Sequence, residues 1–293
     1  MSRIINEFGQ SLTTIVRIML LSKWFGALKI KNPIKRTKCI VLGNGPSLKT
    51  TLKKHKTFLI NNDTLCVNAF VSTDHYEEIK PLYYVLAATV FFQPDEKISL
   101  LYINSRNGLF SELQKKTTWN LYLIVPFMAK KSKEFQALIQ ANKNLHPLYI
   151  NQTPVEGFSF FKHILFRKKL GMARPHNVLI PSIFSLISIG YKEILIIGAD
   201  HSWLDQISVS NDNLALVNHK HFYDTDDTKP QAMQDYIKRP RRLHEVIYKF
   251  YLSFKGYWEL KDYASKRNVK IYNSSELSMI DAFERKPLDE PKK

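Results

Sequence analysis

At 293 residues, 44% of them hydrophobic and 24% charged, the chain suits one large α/β domain, or one domain with an appended segment, with a sizeable core. Its two cysteines, Cys39 and Cys66, lie in apolar, strand-like runs; with no Cys-x-x-Cys pair and no His-Glu-x-x-His, the sequence excludes a structural zinc or zincin site and gives no sign of an oxidising compartment. The formal charge of +17 is unevenly spread: Met1 to Lys38 holds eight basic residues against Glu7 alone, a net +7.

The opening segment, Ile4 to Leu28, sets Ile4, Phe8, Leu12, Ile15 and Met19 at spacings of three and four, which predicts an amphipathic helix. Arg17 and Lys23 make it a poor transmembrane span, and it lacks the cleavage pattern of a signal peptide, so the expected compartment is the cytoplasm. Flanked by Lys29, Lys31, Lys35 and Arg36, the apolar stripe fits three uses: peripheral contact with an anionic inner membrane through residues 4–28, packing on the protein's own core, or pairing with a second copy in a homo-oligomer. Residues 1–36 are therefore read as a helix with a basic linker, 37–286 as the main domain and 287–293 as a tail.

After the break at Asn32-Pro33, strands are predicted at Cys39–Leu42, Thr57–Ile60, Leu65–Val67, Leu82–Val90, Leu100–Ile103 and Leu121–Val125. A helix follows at Val178–Ile189, then a strand at Glu193–Ile197 running into Gly198-Ala199-Asp200, a helix at Tyr257–Lys266 and a last strand at Val269–Tyr272. Strands separated by helices imply an α/β fold: a Rossmann-like, mostly parallel sheet with helices on both faces. Residues 201–255 break this rhythm with polar turns, a His/aromatic cluster, an acidic patch (Asp224, Asp226, Asp227) and the basic run Lys238-Arg239-Pro240-Arg241-Arg242, and so read as a lid-like insertion.

The strongest local signal is Gly43-Asn44-Gly45-Pro46-Ser47-Leu48, directly after the first strand. Glycines there allow a tight turn and close backbone approach, with the turn's amides and the following helix start facing an anion. Ser47 suits an N-cap as well. The spacing is neither the dinucleotide fingerprint nor a Walker loop.

This run resembles the opening motif of the bacterial sialyltransferases of glycosyltransferase family 42, and also of a related group, the motility accessory factor and 6-hydroxymethylpterin pyrophosphokinase-like proteins. Cys66-Val67-Asn68-Ala69-Phe70 is similar to the family's strand ending in Cys-Asn-x-Phe; Ile189-Gly190-Tyr191-Lys192-Glu193-Ile194 with Gly198-Ala199-Asp200 is similar to its helix-to-strand passage; Val269 to Ser274 is similar to the late strand leading to a nucleotide-side loop. The matches stand in family order across roughly Lys38 to Ser278. The resemblance implies a variant of the GT-A glycosyltransferase fold, a nucleotide-sugar donor of the CMP-sugar type, a surface polysaccharide or lipopolysaccharide acceptor, and no metal or other cofactor. It places Gly43, Asn44, Gly45, Pro46, Ser47, Asn68, Asn177, Asp200, Asn273 and Ser274 around the nucleotide. Two departures stand out: Ala87-Ala88-Thr89 where the family has a further nucleotide-binding Asn, and His201-Ser202-Trp203 where it carries phosphate-binding tyrosines.

The family's base is a lid histidine that deprotonates the acceptor hydroxyl. Asn218 to Asp224 supplies the candidates: His221 first, oriented by Asp224, His219 second, and Tyr223 as a donor to the leaving phosphate. Each residue has a plainer role beside the functional one. Asp200 suits ribose or acceptor hydroxyls, or a cap; Asn177 suits the donor, or an N-cap at Val178; His201 and Trp203 suit a sugar pocket, or the core; Arg241 and Arg242 suit a phosphorylated acceptor, or a solvated surface. His219-x-His221 with Asp200 or Asp224 also fits a metal. The alternative activity is a magnesium-dependent diphosphotransferase of the related group, using Asp200 and the Asp224–Asp227 patch. Nucleic acid is not an expected partner, since no nucleic-acid-binding motif accompanies the basic runs.

Overall fold

The strand sequences explain the architecture. Lys38–Leu42 (β1), Asp63–Val67 (β2) and Glu193–Ile197 (β6) each bury four successive residues, so apolar side chains leave both faces of the sheet and must be covered on both. The computed structural model, which describes residues 2–28, 36–218, 221–224, 230–234 and 239–288, meets that demand with helices on either side.

The helices are α1 (Ser2–Leu21), α2 (Leu48–Ile60), α3 (His75–Ile79), α4 (Leu100–Lys116), α5 (Lys133–Ala141), α6 (Ser159–Arg167), α7 (Leu179–Ile189) and α8 (Leu243–Ser265). The remaining sheet strands are β3 (Tyr83–Val85), β4 (Leu121–Pro126), β5 (Leu145–Ile150), β10 (Lys270–Asn273) and β11 (Glu284–Arg285). The eight strands run in the order β11-β10-β6-β1-β2-β3-β4-β5, with every neighbouring pair parallel. Cys39, Val41, Leu65 and Ile196 point to the face packed by α7 and α8, while Ile40, Leu42, Cys66 and Leu123 point to the face packed by α2, α4 and α5. Both thiols are buried and unbridged, and burial pushes their pKa values up. From β1 the chain winds outward to β5, then returns to place β6 on β1's other side. That reversal leaves a crevice at the carboxyl ends of β1 and β6.

Several sequence expectations are corrected. Thr57–Ile60 is the last turn of α2, because Leu48, Leu52 and Leu59 bury one helical face. Leu100–Ile103 opens α4, whose buried side chains are Arg106, Leu109, Phe110 and Leu113, a helical spacing that leaves Leu100 and Leu101 outside. Only Tyr83–Val85 of the Leu82–Val90 run is strand. β5, unforeseen, is an edge strand, the position at which a sheet tolerates Pro147. The helix expected at Tyr257 begins fourteen residues earlier, at Leu243, with the Glu245 carboxylate accepting from the Arg242 amide. The excursion from the sheet therefore ends at Arg242 rather than at 255. It contains a small antiparallel sheet, β7 (Ile207–Val209), β8 (Ala215–Val217) and β9 (Gln231–Ala232).

The predicted helix at the start of the chain is present but faces the other way round. Ser11, Thr14 and Ile18 are its buried residues, while Ile4, Phe8, Leu12, Ile15 and Met19 face outward, so packing of that stripe on the protein's own core is excluded. Among the described residues no helix is long and apolar enough to cross a membrane.

Candidate active site

The Gly43–Ser47 turn is shaped by its neighbour strand. Gly43 N–H donates to the Ile197 carbonyl at 2.8 Å and Gly45 N–H to the Gly198 carbonyl at 2.7 Å. A Cβ on Gly43 would lie 2.4 Å from the Gly198 oxygen, and one on Gly45 would lie 2.8 Å from both Gly198 O and the Asp200 carboxyl carbon. Gly198 has a φ of +61°, and a Cβ there would meet Gly43 O and Leu48 Cβ at 2.7 Å. The close approach anticipated for these glycines is thus between two strand ends.

The anion that α2's start faces is also the protein's own. Asp200 Oδ2 accepts the Ser47 amide at 2.7 Å, and Asp200 Oδ1 accepts the Ser47 hydroxyl. Leu48 and Lys49 amides are taken by Gly45 and Pro46 carbonyls. The turn therefore offers an external phosphate little at Ser47, which corrects the anion-cradle expectation. Asp200 is the cap its plainer reading proposed, 7% exposed; burial pushes its pKa up and the two Ser47 bonds oppose that.

Around this turn lies a cavity of about 230 Å³ lined by Gly43, Asn44, Gly45 and Pro46, by Asn68, by Asn177, and by Asp200, His201, Trp203 and His221. Asn44 holds the turn to β2 through Nδ2, which donates to the Val67 carbonyl at 3.1 Å. Its Oδ1 is enclosed without a well-formed hydrogen bond. Asn68 ends β2 in the left-handed region, φ +53°, a conformation Asn tolerates better than most residues. Asn177 fills the N-cap role foreseen for it. Its Oδ1 accepts the Leu179 and Ile180 amides at the start of α7, at 2.9 and 3.3 Å, while its Nδ2 is enclosed without a partner beside the cavity.

Behind Asn177 runs a buried polar chain that the sequence did not disclose. Tyr257 Oη donates to Asn177 Oδ1 at 3.0 Å and stands 2.6 Å from His201 Nε2. With the phenol proton on Asn177, the imidazole supplies the proton of the second bond. His201 also stacks on Trp203 at 4.0 Å, so both line the cavity and both pack, as His201 is buried. Desolvation pushes its pKa down to about 3, keeping the ring neutral.

The lid candidate sits across the cavity. Phe222 N–H donates to Asn44 O at 3.0 Å, and the Phe222 ring is buried near Phe70, centroids 5.9 Å apart. This pins the His221–Asp224 turn onto the glycine turn. Asp224 Oδ2 accepts both the His221 amide, at 2.8 Å, and His221 Nδ1, at 3.0 Å. A carboxylate on Nδ1 holds the neutral ring as the Nδ1–H tautomer, leaving the Nε2 lone pair for a proton. Tyr223 stacks on His221 with an interplanar angle of 4°, and its hydroxyl lies beside the Asn44 amide; burial, with Asp224's charge, pushes the phenol up to about 12. His219 lies outside the described residues, as do Asp226 and Asp227.

Ser47 and Tyr223 are not among the residues lining the cavity, and two further predicted positions fall elsewhere. Asn273 and Ser274 border a separate cavity of about 700 Å³ with Thr51, Arg285 and Lys286. Asn273 donates through Nδ2 to Ser278 and to the Ile280 carbonyl, which folds the 273–280 loop. Arg241 and Arg242 do not line the cavity; Arg242 Nη1 reaches the Asn213 carbonyl at 3.4 Å. Among the described residues no three His, Cys, Asp or Glu gather as a metal-ligand set.

Comparison with known proteins adds a likeness of shape. No family profile matches the chain, and no curated protein does. A glycosyltransferase named MAf from Magnetospirillum magneticum AMB-1 superposes with a TM-score of 0.47 at 9% identity, over 95% of this chain and 38% of that one. The chain thus spans well under half the length of that protein.

Proposed function

We propose that the chain is a glycosyltransferase that moves a sugar, sialic-acid-like or other, from a CMP-sugar to a hydroxyl of a surface polysaccharide or lipopolysaccharide, without a metal ion. The observation that carries this reading is the His221–Asp224 pair held on the Asn44 carbonyl, its imidazole lining the same cavity as the glycine turn. His221 Nε2 takes the acceptor's proton as that oxygen bonds to the anomeric carbon, and the bond from that carbon to the phosphate oxygen breaks. Charge on the departing nucleotide is met by the unpaired Asn177 Nδ2 and the Tyr223 hydroxyl, which take the place of the helix-start amides that Asp200 occupies.

Asn68 also borders a neighbouring cavity of about 580 Å³ lined by Ala69, Ala88, Phe91, Ser105 and Gly108, which we assign to the nucleoside. A Cβ on Gly108 meets nothing within 4 Å, so this position on the cavity wall accepts a side chain's first atom without a clash.

Calorimetric titration with CMP and UMP tests the reading. Binding is expected, unchanged by a chelator and weakened by Gly108→Phe. A chain that binds no pyrimidine nucleotide sinks it, and binding that needs magnesium and prefers ATP favours a diphosphotransferase instead.

A further inference from the structure

α1 is amphipathic with its polar side turned in. Ser11 Oγ accepts the Phe158 amide at 3.2 Å. Thr14 Oγ1 accepts the Glu156 amide at 2.9 Å and donates to the Glu156 carbonyl at 3.0 Å. Arg17 pairs with the Glu156 carboxylate at 2.7 Å. Beyond the helix, Ser22 Oγ donates to the Leu170 carbonyl at 2.6 Å and Asn151 Oδ1 accepts the Lys23 amide at 2.8 Å. Gly157, φ +108°, admits Ser11, since a Cβ there would lie 2.1 Å from its hydroxyl oxygen. The docked orientation is therefore fixed by specific polar contacts.

What this leaves outside is a continuous apolar surface. Ile4, Phe8, Leu12, Ile15 and Met19, followed by Phe25 beyond the helix, are between 37% and 87% exposed. Water-soluble monomers rarely leave so many large apolar side chains together in solvent. A twenty-residue helix presents them along roughly 30 Å.

We infer that this face lies in the interface of a bilayer containing anionic lipid. Charge selects the occupant. The exposed Lys23 follows α1, the exposed Arg167 and Lys168 close α6, which follows the loop that holds α1, and the segment between α1 and β1 adds Lys29, Lys31 and Lys35 in sequence. Anionic headgroups complement that charge, whereas a second copy would bring two such clusters together. Glu156, which accepts Arg17, also accepts from Arg174 Nη2 and Nε, at 2.9 and 3.2 Å, three residues before Asn177. Docking thereby fixes the cleft's attitude to the lipid surface.

The inference does not depend on the sugar transfer, and its test is separate. The full chain is sedimented with vesicles of phosphatidylcholine containing phosphatidylglycerol, and with vesicles of phosphatidylcholine alone. Partition at least about tenfold stronger into the anionic vesicles is expected, weakened by salt. Phe8→Glu with Phe25→Glu, both solvent-facing, is expected to abolish partition while leaving the thermal midpoint and nucleotide binding unchanged. The idea is overturned if the wild-type chain stays in the supernatant, or partitions equally into both vesicles. It is overturned too if light scattering finds a dimer that the double variant dissociates, since a second copy would then cover the face.

Discussion

The two turns that meet across the cavity are built in contrasting ways. Gly43–Ser47 is locked by backbone bonds to Ile197 and Gly198 and by both oxygens of Asp200, in space too tight for a methyl group. His221–Asp224 belongs to the excursion between β6 and α8 and is attached there by the Phe222 amide and ring. The rigid turn sets where the cavity is, and the tethered one brings the titratable group to it. Lids and binding loops generally come from the less stable part of a fold.

Substitutions should separate the two. Gly43→Ala forces a Cβ against backbone, so unfolding in urea should show a loss of about 3 kcal/mol. A stability within 0.5 kcal/mol of wild type, the order of a neutral surface change, would mean that the strand ends are not locked together. His221→Ala should leave urea unfolding unchanged and lower transfer by about 10²- to 10⁴-fold. Transfer at the wild-type rate would remove the proposed base while leaving the architecture intact.

Acid probes two enclosed imidazoles instead. Burial holds His201 neutral down to about pH 3, and burial with the charges of Arg174, Lys249 and Arg241 holds His176 neutral to about pH 4. The unfolded chain protonates both near pH 6.5, so below that it binds more protons than the fold does. Stability should fall as pH drops from about 6.5 toward 4, by up to about 1.4 kcal/mol per pH unit from the buried His201 and by less from His176, whose partial exposure screens its charge. A thermal midpoint that is flat over that range in His201→Gln/His176→Gln but not in wild type would assign the effect.

Much of the sheet was legible because β1, β4 and β6 and the Leu65–Val67 half of β2 are apolar runs, which strands buried on both faces require. Short apolar runs in helices defeat the same logic: Thr57–Ile60 and Leu100–Ile103 read as strands because four residues cannot display a helical period. Periodicity found α1's apolar stripe but carries no information on where the stripe points, and that is settled by Ser11, Thr14 and Glu156, the last far away in sequence. Among the residues lining the cavity, motif and chemistry single out Asn44, Asn68, Asn177 and His221. The Tyr257–Asn177–His201 chain was not, since it joins three distant segments, and Asp200's capping of Ser47 was one of two readings the strand end allowed.

Asn44 links three parts of the molecule: its amide nitrogen to β1's partner strand through Val67, its own turn, and its carbonyl to Phe222. A latch of this kind opens only when one peptide bond's oxygen is given back to water and one ring leaves its slot beside Phe70. Resistance to opening on this side of the cavity would then be set at Phe70 and Phe222, by the fit of two hydrocarbon rings.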